Sequence, residues 1–310
     1  EGLTVTNKYE NNYLKSVYQG STLLREIVST DSSGRINSEK VGANVTRTIG
    51  YNRHMGYLED ISLQNHAGEQ VHYLEYYYDN VGNVIYREHH FGSGDNFSFY
   101  EDFAYDELNR MTSRTVTGHY GLSNHANSGV KHFVAAGVYN YEYDFIGNIT
   151  KKTNAHEAST LTYNYQWQNH AGNYAGYPSA RKKLASINKT GVSGTWRNYT
   201  YDHNGNVTDD GSRTYDYTSF DKPHNLVSED GQYSTFKYGP ARNRYLRTDR
   251  IKDDTTHQLV DSKTYYVGSY ERIEKQGKTE HKYYVAGAVI TKNKNGQQGT
   301  DEILFMHTDH

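Results

Sequence analysis

Aromatic and polar residues alternate along much of the chain. The alternation puts aromatic side chains two residues apart, so that they share one face of an extended strand. The clearest pairs are Phe103 and Tyr105, Tyr141 and Tyr143, Tyr199 and Tyr201, and Tyr215 and Tyr217. No segment combines sustained helical periodicity with capping residues. The pattern therefore predicts an all-β fold of repetitive antiparallel β-hairpins.

One short unit recurs between these aromatic pairs. Its pattern is Tyr-Asp-x-x-Gly-Asn followed by an aliphatic residue. Complete copies are Tyr78-Asp79 with Gly82-Asn83, Tyr143-Asp144 with Gly147-Asn148, and Tyr201-Asp202 with Gly205-Asn206. Weaker copies begin at Tyr105-Asp106 and at Phe220-Asp221, and residues 51–61 and 238–246 are more degenerate still. Recurrence of one unit predicts a repeat architecture.

The unit has the chemistry of a hairpin turn. An Asp at the first position can accept hydrogen bonds from the turn backbone, and a Gly or Asn three residues later tolerates a positive φ. Such a turn joins neighbouring strands in three- to five-residue hairpin loops. We therefore expect Gly82, Gly147 and Gly205 to lie at positive φ.

Composition supports an ordered sheet with few aliphatic residues. Leu, Ile, Val and Phe make up only 55 of the 310 residues, but 32 tyrosines are present and the net charge is −3. Disorder would require few aromatics and a high net charge. Tyrosine buries a large ring while its hydroxyl reaches water or a polar partner. Near-neutral charge gives no sign of nucleic-acid binding, no apolar run is long enough to span a bilayer, and the lack of Cys excludes disulfides.

The repeated unit resembles the YD, or RHS, repeats of bacterial polymorphic toxins, Tc-toxin B/C components and teneurins. Residues 265–273, 281–291 and 305–310 are similar to the run that leads into the RHS core segment. The resemblance implies a spiralling sheet, part of a hollow shell around a C-terminal toxin. It assigns 51–310 to repeats that stop at the start of the core segment, and 1–50 to a divergent beginning of the array. With no Met or signal peptide at its start, we expect a piece of a longer protein.

Metal-dependent chemistry has two candidate sites in the sequence. Asp202, Asn204 and Asn206 have EF-hand-like spacing, but Val207 stands where the loop requires Gly and Arg213 where it requires Glu. The end of the chain, His307-x-Asp309-His310, looks like a ligand cluster but has no general-base motif beside it. The repeat explains both segments as turn or strand, so we expect no metal and no other cofactor.

Other catalytic and binding chemistry has less support. The chain has no nucleophile elbow, no P-loop and no dinucleotide fingerprint. Asp209-Asp210 and Asp253-Asp254 are neighbouring carboxylates in turn-like contexts and do not match the self-cleaving motif of the family. Exposed tyrosines with Trp167 or Trp196 could stack on sugars, which keeps glycan binding open. The insertions 118–137 and 166–180 are rich in Gly, Asn and His and are predicted to be loops.

The resemblance implies a structural function. We expect a wall segment of a YD-repeat shell that encapsulates a toxin or partner domain for delivery, and no enzymatic activity. The expected partners are the enclosed C-terminal domain and the remaining shell segments, in a secreted or extracellular complex. The alternative is a cell-surface adhesin or glycan-binding module built on the same repeats.

Overall fold

The computed structural model describes residues 2–92, 97–119, 136–154, 158–167, 182–253, 256–299 and 301–306. Within these ranges the chain is all-β, and the only helical element is a three-residue 3-10 turn, Lys294–Gly296. None of the described residues forms a helix long and apolar enough to cross a membrane. The all-β prediction is confirmed.

The described residues form 26 strands. The first fifteen are β1 Val5–Glu10, β2 Tyr13–Gln19, β3 Thr22–Thr30, β4 Ile36–Val41, β5 Val45–Tyr51, β6 Leu58–Asn65, β7 Gln70–Tyr78, β8 Val84–Phe91, β9 Phe97–Tyr105, β10 Met111–His119, β11 Gly137–Tyr143, β12 Ile149–Asn154, β13 Ser159–Trp167, β14 Lys182–Lys189 and β15 Arg197–Asn198. The others are β16 Thr200–Tyr201, β17 Val207–Asp209, β18 Arg213–Tyr217, β19 Pro223–Ser228, β20 Tyr233–Tyr238, β21 Arg244–Lys252, β22 Leu259–Val267, β23 Tyr270–Lys275, β24 Lys278–Val285, β25 Ala288–Lys292 and β26 Glu302–Phe305.

The order of the strands in the sheets is the order of the chain. β1 to β15 form one sheet and β16 to β26 another, with each strand hydrogen-bonded to the next. The hairpin pairings are antiparallel, from β1 with β2 to β22 with β23. The chain divides into two compact units: residues 1–140, 283–290 and 303–310 form the first, and 141–282 and 291–302 the second.

In the first unit the two faces of the sheet differ in burial. Along β7, His72, Leu74 and Tyr76 are buried, whereas Tyr73 and Glu75 on the opposite face are half-buried. We call the face with Leu74 the dry face and the face with Glu75 the wet face. The dry face holds a core cluster of Ile61, Leu63, Leu74 and Tyr76. One face of the sheet is therefore buried and the other half-buried, although few residues of the chain are aliphatic.

Charged residues complete the dry face because aliphatic residues are scarce. Glu101 on β9 is fully buried, and it accepts hydrogen bonds from Arg87 (Nε–Oε2 2.6 Å) and Arg114 (Nε–Oε1 2.6 Å) on the flanking strands. His89 Nε2 lies 3.3 Å from Oε2. Burial would raise the pKa of Glu101, but the hydrogen bond from His89 and the two arginine charges outweigh it and lower the pKa to about 2. The charge is buried but fully partnered.

The same arrangement recurs earlier in the sheet. Buried Glu39 on β4 accepts hydrogen bonds from Arg25 on β3 (Nε–Oε2 2.7 Å) and pairs with Arg47 on β5 (Nη2–Oε1 2.6 Å). Glu39 and Arg47 are direct cross-strand partners, as are Glu101 and Arg87. Register therefore fixes both clusters, and a slip of one residue would separate the charges.

The last hairpin of the chain packs against its first strands within the first unit. Ala288 and Ile290 on β25 are fully buried in one cluster with Val17 on β2 and Leu24 on β3. Phe305 on β26 lies beside the turn at Gly42, where an added Cβ would be 2.7 Å from its ring. We call this arrangement the terminal clasp.

Shortening a clasp residue should destabilise the first unit. Ile290→Ala removes a fully buried side chain, so we expect a loss of about 2–5 kcal/mol in the free energy of unfolding. Denaturant unfolding measures it, with Val267→Ala at a 71% exposed position as the control. Equal losses in the two variants would mean that the clasp contributes nothing.

Candidate functional site at the motif turns

The predicted Tyr-Asp turns share one hydrogen-bond pattern. In the turn from Asp79 to Asn83, the Asp79 N–H donates to the Asn83 carbonyl at 2.9 Å, and the Gly82 N–H donates to the Asp79 carbonyl at 3.2 Å. Gly82 has a φ of +96°, and Gly147 and Gly205 both have +94°. The predicted positive φ at these glycines is confirmed.

The Asp side chain closes each turn. Asp79 Oδ1 accepts the backbone N–H groups of Val81 (3.0 Å) and Asn83 (2.8 Å), and Oδ2 accepts the Asn83 side-chain amide (2.8 Å). Asp144 makes the same contacts with Ile146 and Asn148. The Asp and the Asn four residues later in the repeat therefore form a side-chain clamp across the turn.

An arginine can replace the Asn of the clamp. Arg110 donates from Nε to Asp106 Oδ2 at 2.7 Å, and Asn109 takes the left-handed position at a φ of +58°. This hydrogen bond is the largest influence on the pKa of Asp106 and lowers it. In the turn at Asp202, the hydrogen bond from the Asn206 amide lowers the pKa of the carboxyl in the same way. Both turns thus favour the ionised Asp.

The five-residue turn is more widespread than its sequence motif. Within the described ranges, nine turns have the two backbone hydrogen bonds of the Asp79 turn and a left-handed fourth residue. They are Asp31–Arg35, Asn65–Glu69, Asp79–Asn83, Asp106–Arg110, Asp144–Asn148, Asp202–Asn206, Thr218–Lys222, Ser228–Gln232 and Gly239–Asn243. The first of these lies in the segment 1–50.

The predicted copy at Phe220-Asp221 is wrong in its register. The turn begins at Thr218, and Asp221 is its fourth residue, at a φ of +60°. The Thr218 hydroxyl accepts the Lys222 N–H at 3.1 Å, so a threonine takes the place of the capping Asp. Pro223, which has no N–H, then pairs with Tyr217 at the start of β19. The Asp221 carboxylate instead accepts the side-chain amides of Asn204 and Asn206, at 2.9 Å each.

The tyrosine before several of these turns reaches back to the preceding turn on the same side of the sheet. Tyr105, before the Asp106 turn, donates its hydroxyl to the carbonyl of Val84, the residue directly after the Asp79 turn, at 2.8 Å. Six such bonds, 2.6–2.9 Å long, occur among the described residues: Tyr78 to Leu58, Tyr105 to Val84, Tyr165 to Ile149, Tyr201 to Leu184, Tyr217 to Val207 and Tyr238 to Pro223. We call them tyrosine tethers.

The tethers explain why the motif has Tyr rather than Phe. Each ring is partly buried between strands, and burial raises the pKa of each of the six tether tyrosines. Their hydroxyls therefore stay protonated and able to donate at physiological pH. In the sequence, the repeated Tyr directly before the turn residue is the signal that indicates this contact. Tyr165, which is not followed by a motif Asp in the sequence, makes the same contact.

The carboxylates considered as calcium ligands or as a carboxylate pair are held by hydrogen bonds within the protein. Both Asp202 oxygens accept hydrogen bonds from Asn206. Asp210 accepts the Tyr215 hydroxyl at 2.5 Å and the Ser212 hydroxyl at 2.8 Å, and these bonds outweigh burial and lower its pKa. No group of metal-ligating side chains occurs among the residues with described positions.

Several candidates lie outside the described residues. They are His307, Asp309 and His310, Asp254, the Trp167 side chain and most of the insertions 118–137 and 166–180. Trp196 is described and is 36% exposed. Lys189 and Arg197 lie over its ring at 5.3 and 5.1 Å from the centroid, so cations already occupy part of this aromatic surface.

The fold is similar to that of a solved toxin complex. The crystal structure of TcdB2-TccC3-Cdc42 aligns over 93% of this chain with a TM-score of 0.51 and 12% identity. The chain has the YD-repeat fold. A second structure, TcdB2-TccC3 without its hypervariable C-terminal region, aligns over 95% of the chain with a TM-score of 0.43 and 11% identity.

A distant sequence relative matches about half of this chain. The tRNA3(Ser)-specific nuclease WapA of Bacillus spizizenii is 25% identical over 166 residues, which is 52% of this chain. No protein-family model matches the chain. The YD-repeat chain spans 6% of WapA and 16% of the aligned chain in the first toxin complex, so it corresponds to a small part of each.

Removing one tether hydroxyl should weaken the YD-repeat sheet locally. Tyr78→Phe keeps the ring but loses the 2.7 Å bond to the Leu58 carbonyl. We expect the free energy of unfolding to fall by about 0.5–1.5 kcal/mol. Tyr13→Phe, at an 80% exposed position, is the control and should be neutral. Hydrogen exchange should also be faster at the Asp79 turn, and unchanged exchange and stability would contradict the role of the tether.

The left-handed turn position can be tested with a matched pair of glycines. Gly147→Ala meets no atom within 4 Å but has a φ of +94°, so its cost of about 1–2 kcal/mol comes from backbone strain alone. Gly239 begins a turn of the same type without a positive φ, and Gly239→Ala should not be destabilising. Denaturant unfolding measures the loss of stability in both variants. Equal losses would contradict the assignment of backbone strain to the left-handed position at Gly147.

Proposed function

We propose that this chain is a wall segment of a YD-repeat shell that encapsulates a toxin or partner domain for delivery. The observation that carries the proposal is the tyrosine tether. It binds several of the motif turns to the turn before them, so sheet can be added hairpin by hairpin without a thick apolar core at every step. A wall that surrounds a guest domain has to be extended in this way, because its interior is occupied by the guest and not by an apolar core.

The wet face is suited to exclusion of the guest rather than to its tight binding. It presents Tyr73, Glu75, Tyr77 and Tyr86 in the first unit, and these side chains mix rings with hydroxyls and carboxylates. A surface without large apolar patches binds an unfolded polypeptide weakly. We therefore assign containment to this segment, with the enclosed domain and the remaining shell segments as partners in a secreted complex.

We assign no catalytic step to the wall. Its motif carboxylates hold their own turns closed, as Asp79 and Asp144 do, and Asp210 is engaged by Tyr215 and Ser212. Support also comes from the likeness in fold to TcdB2-TccC3 and from the distant similarity to WapA, a nuclease of which the chain matches a small part. Any nuclease or other toxin activity would belong to the enclosed domain.

Limited proteolysis of the longer parent protein tests containment. The tether pair Tyr201→Phe and Tyr217→Phe loosens two successive turns without removing a ring. We expect the C-terminal domain to resist protease in the natural parent and to be cleaved several times faster in the double variant. Tyr13→Phe, whose ring is exposed, is the control and should leave the protection intact.

The alternative, an adhesin or glycan-binding module, predicts a different outcome. If the C-terminal domain of the natural parent is digested as fast as the same domain alone, containment is wrong. Saturable binding of the chain to a polysaccharide, lost in Trp196→Ala, would then support the adhesin.

A further inference from the structure

Three acidic side chains lie directly opposite one another on the wet face of the first unit. Asp60 on β6 is the register partner of Glu75 on β7, and Glu75 is the partner of Glu88 on β8. We call them the acidic row. Gly50 on β5 and Tyr100 on β9 continue the row at its two ends. An added Cβ at Gly50 would lie 2.0 Å from Asp60 Oδ2, so the carboxylate lies over the glycine.

No lysine or arginine pairs with the row among the described residues. The groups that face it are the Tyr73 and Tyr77 hydroxyls from β7, Tyr86 and His90 from β8, and Tyr100 and Asp102 from β9. Tyr86 donates to Glu88 Oε1 at 2.8 Å, and His90 Nε2 lies 3.1 Å from Glu88 Oε2. From β4, Lys40 is engaged with Glu26 at 3.0 Å. Glu59, next to Asp60 along the chain, adds another negative charge.

Like charges at directly opposed positions destabilise a sheet. The half-buried position strengthens the repulsion because less water screens it. Burial raises the pKa of Asp60, and the negative charges of Glu59 and Glu75 raise it further. The dry face shows the contrast, since every buried carboxylate described above has an arginine beside it. In the row, hydrogen bonds from Tyr77 to Glu75 and from Tyr86 to Glu88 offset part of the repulsion, but no arginine or lysine neutralises a charge among the described residues.

We propose that the acidic row is a pH-sensitive element that tightens the pairing of β6, β7 and β8 on mild acidification and loosens it at neutral pH. A proton taken up by one carboxyl removes a charge from the row and supplies an O–H donor to its neighbour. The element is independent of what the wall encloses.

The sign of the effect follows from the direction of the shift. Because the pKa of Asp60 is raised on folding, the folded chain binds a proton at a pH where the unfolded chain does not, so stability increases as the pH falls through the raised value. Glu101, with its pKa lowered to about 2, and the turn residue Asp106, whose pKa is also lowered, act oppositely. Their contributions are lost only below about pH 4, where carboxyls of the unfolded chain are protonated. The tightening therefore occurs between neutral pH and about pH 4.

The proposal is tested by comparing the thermal unfolding of variants with that of the natural 310-residue chain. At low ionic strength and about pH 8, Glu75→Gln and Asp60→Asn should each raise the unfolding midpoint by about 2–4 °C over the natural chain. The gain should be smaller at about pH 5, because the folded natural chain takes up a proton at Asp60 more readily than the unfolded chain as the pH falls. The difference between each variant and the natural chain cancels the contributions that the two proteins share. Salt at about 0.5 M should shrink the gain at about pH 8.

A matched variant controls for the loss of any acid. Glu26 lies on the same face but is paired with Lys40. Glu26→Gln should give no gain at either pH. Hydrogen exchange at β6–β8 gives a second measure, with protection in the natural chain rising from about pH 8 to about pH 5 relative to Glu75→Gln. A gain that is the same at both pH values, or a loss in Glu75→Gln at about pH 8, would overturn the proposal.

Discussion

The hydrogen bond from a tyrosine hydroxyl to a backbone carbonyl is the interaction on which the arrangement of turns depends. A β-ladder joins neighbouring strands, but it does not by itself hold one turn against the next turn on the same side of the sheet. The tether does so, from Tyr105 to Val84 and again from Tyr238 to Pro223. Side-chain bonds add to it, such as Asn83 to Asn109 at 3.0 Å. The turns are therefore fixed to one another as well as to their own strands.

The scarcity of aliphatic residues has a second structural consequence on the dry face. A sheet with few leucine and isoleucine residues must bury other side chains as well, and here it buries Glu39 and Glu101 between arginines. Buried ion pairs add little net stability over apolar residues of the same volume, but breaking one leaves an uncompensated charge. The clusters thus penalise wrong register strongly, which matters in a sheet whose hairpins resemble one another. The wet face has no such compensation in the acidic row, and charge there makes stability depend on pH.

Much of the fold was predictable from local chemistry, and the errors have physical causes. The alternating aromatic residues predicted the strands. Asp79 and Gly82 predicted the turn, because the turn is determined within five residues. The copy at Asp221 was misplaced because Thr218 can cap a turn through its hydroxyl, and an Asp is not required. The tethers join residues 10 to 21 positions apart and the acidic row depends on register, so neither is visible in a single motif. The clasp joins the two ends of the chain and has no local signal at all.

The terminal clasp also sets an order in time. Ile290 leaves the ribosome roughly 270 residues after Val17, an interval on the order of 15–50 s at about 5–20 residues per second. Every hairpin between them can pair with its neighbour as soon as it emerges, but Val17 and Leu24 stay uncovered until β25 has been made. β2 and β3 are thus completed only after β25, although they are made long before it. A nascent chain carries this apolar surface throughout its synthesis, and burial of Leu24 marks the moment at which translation has passed Ile290.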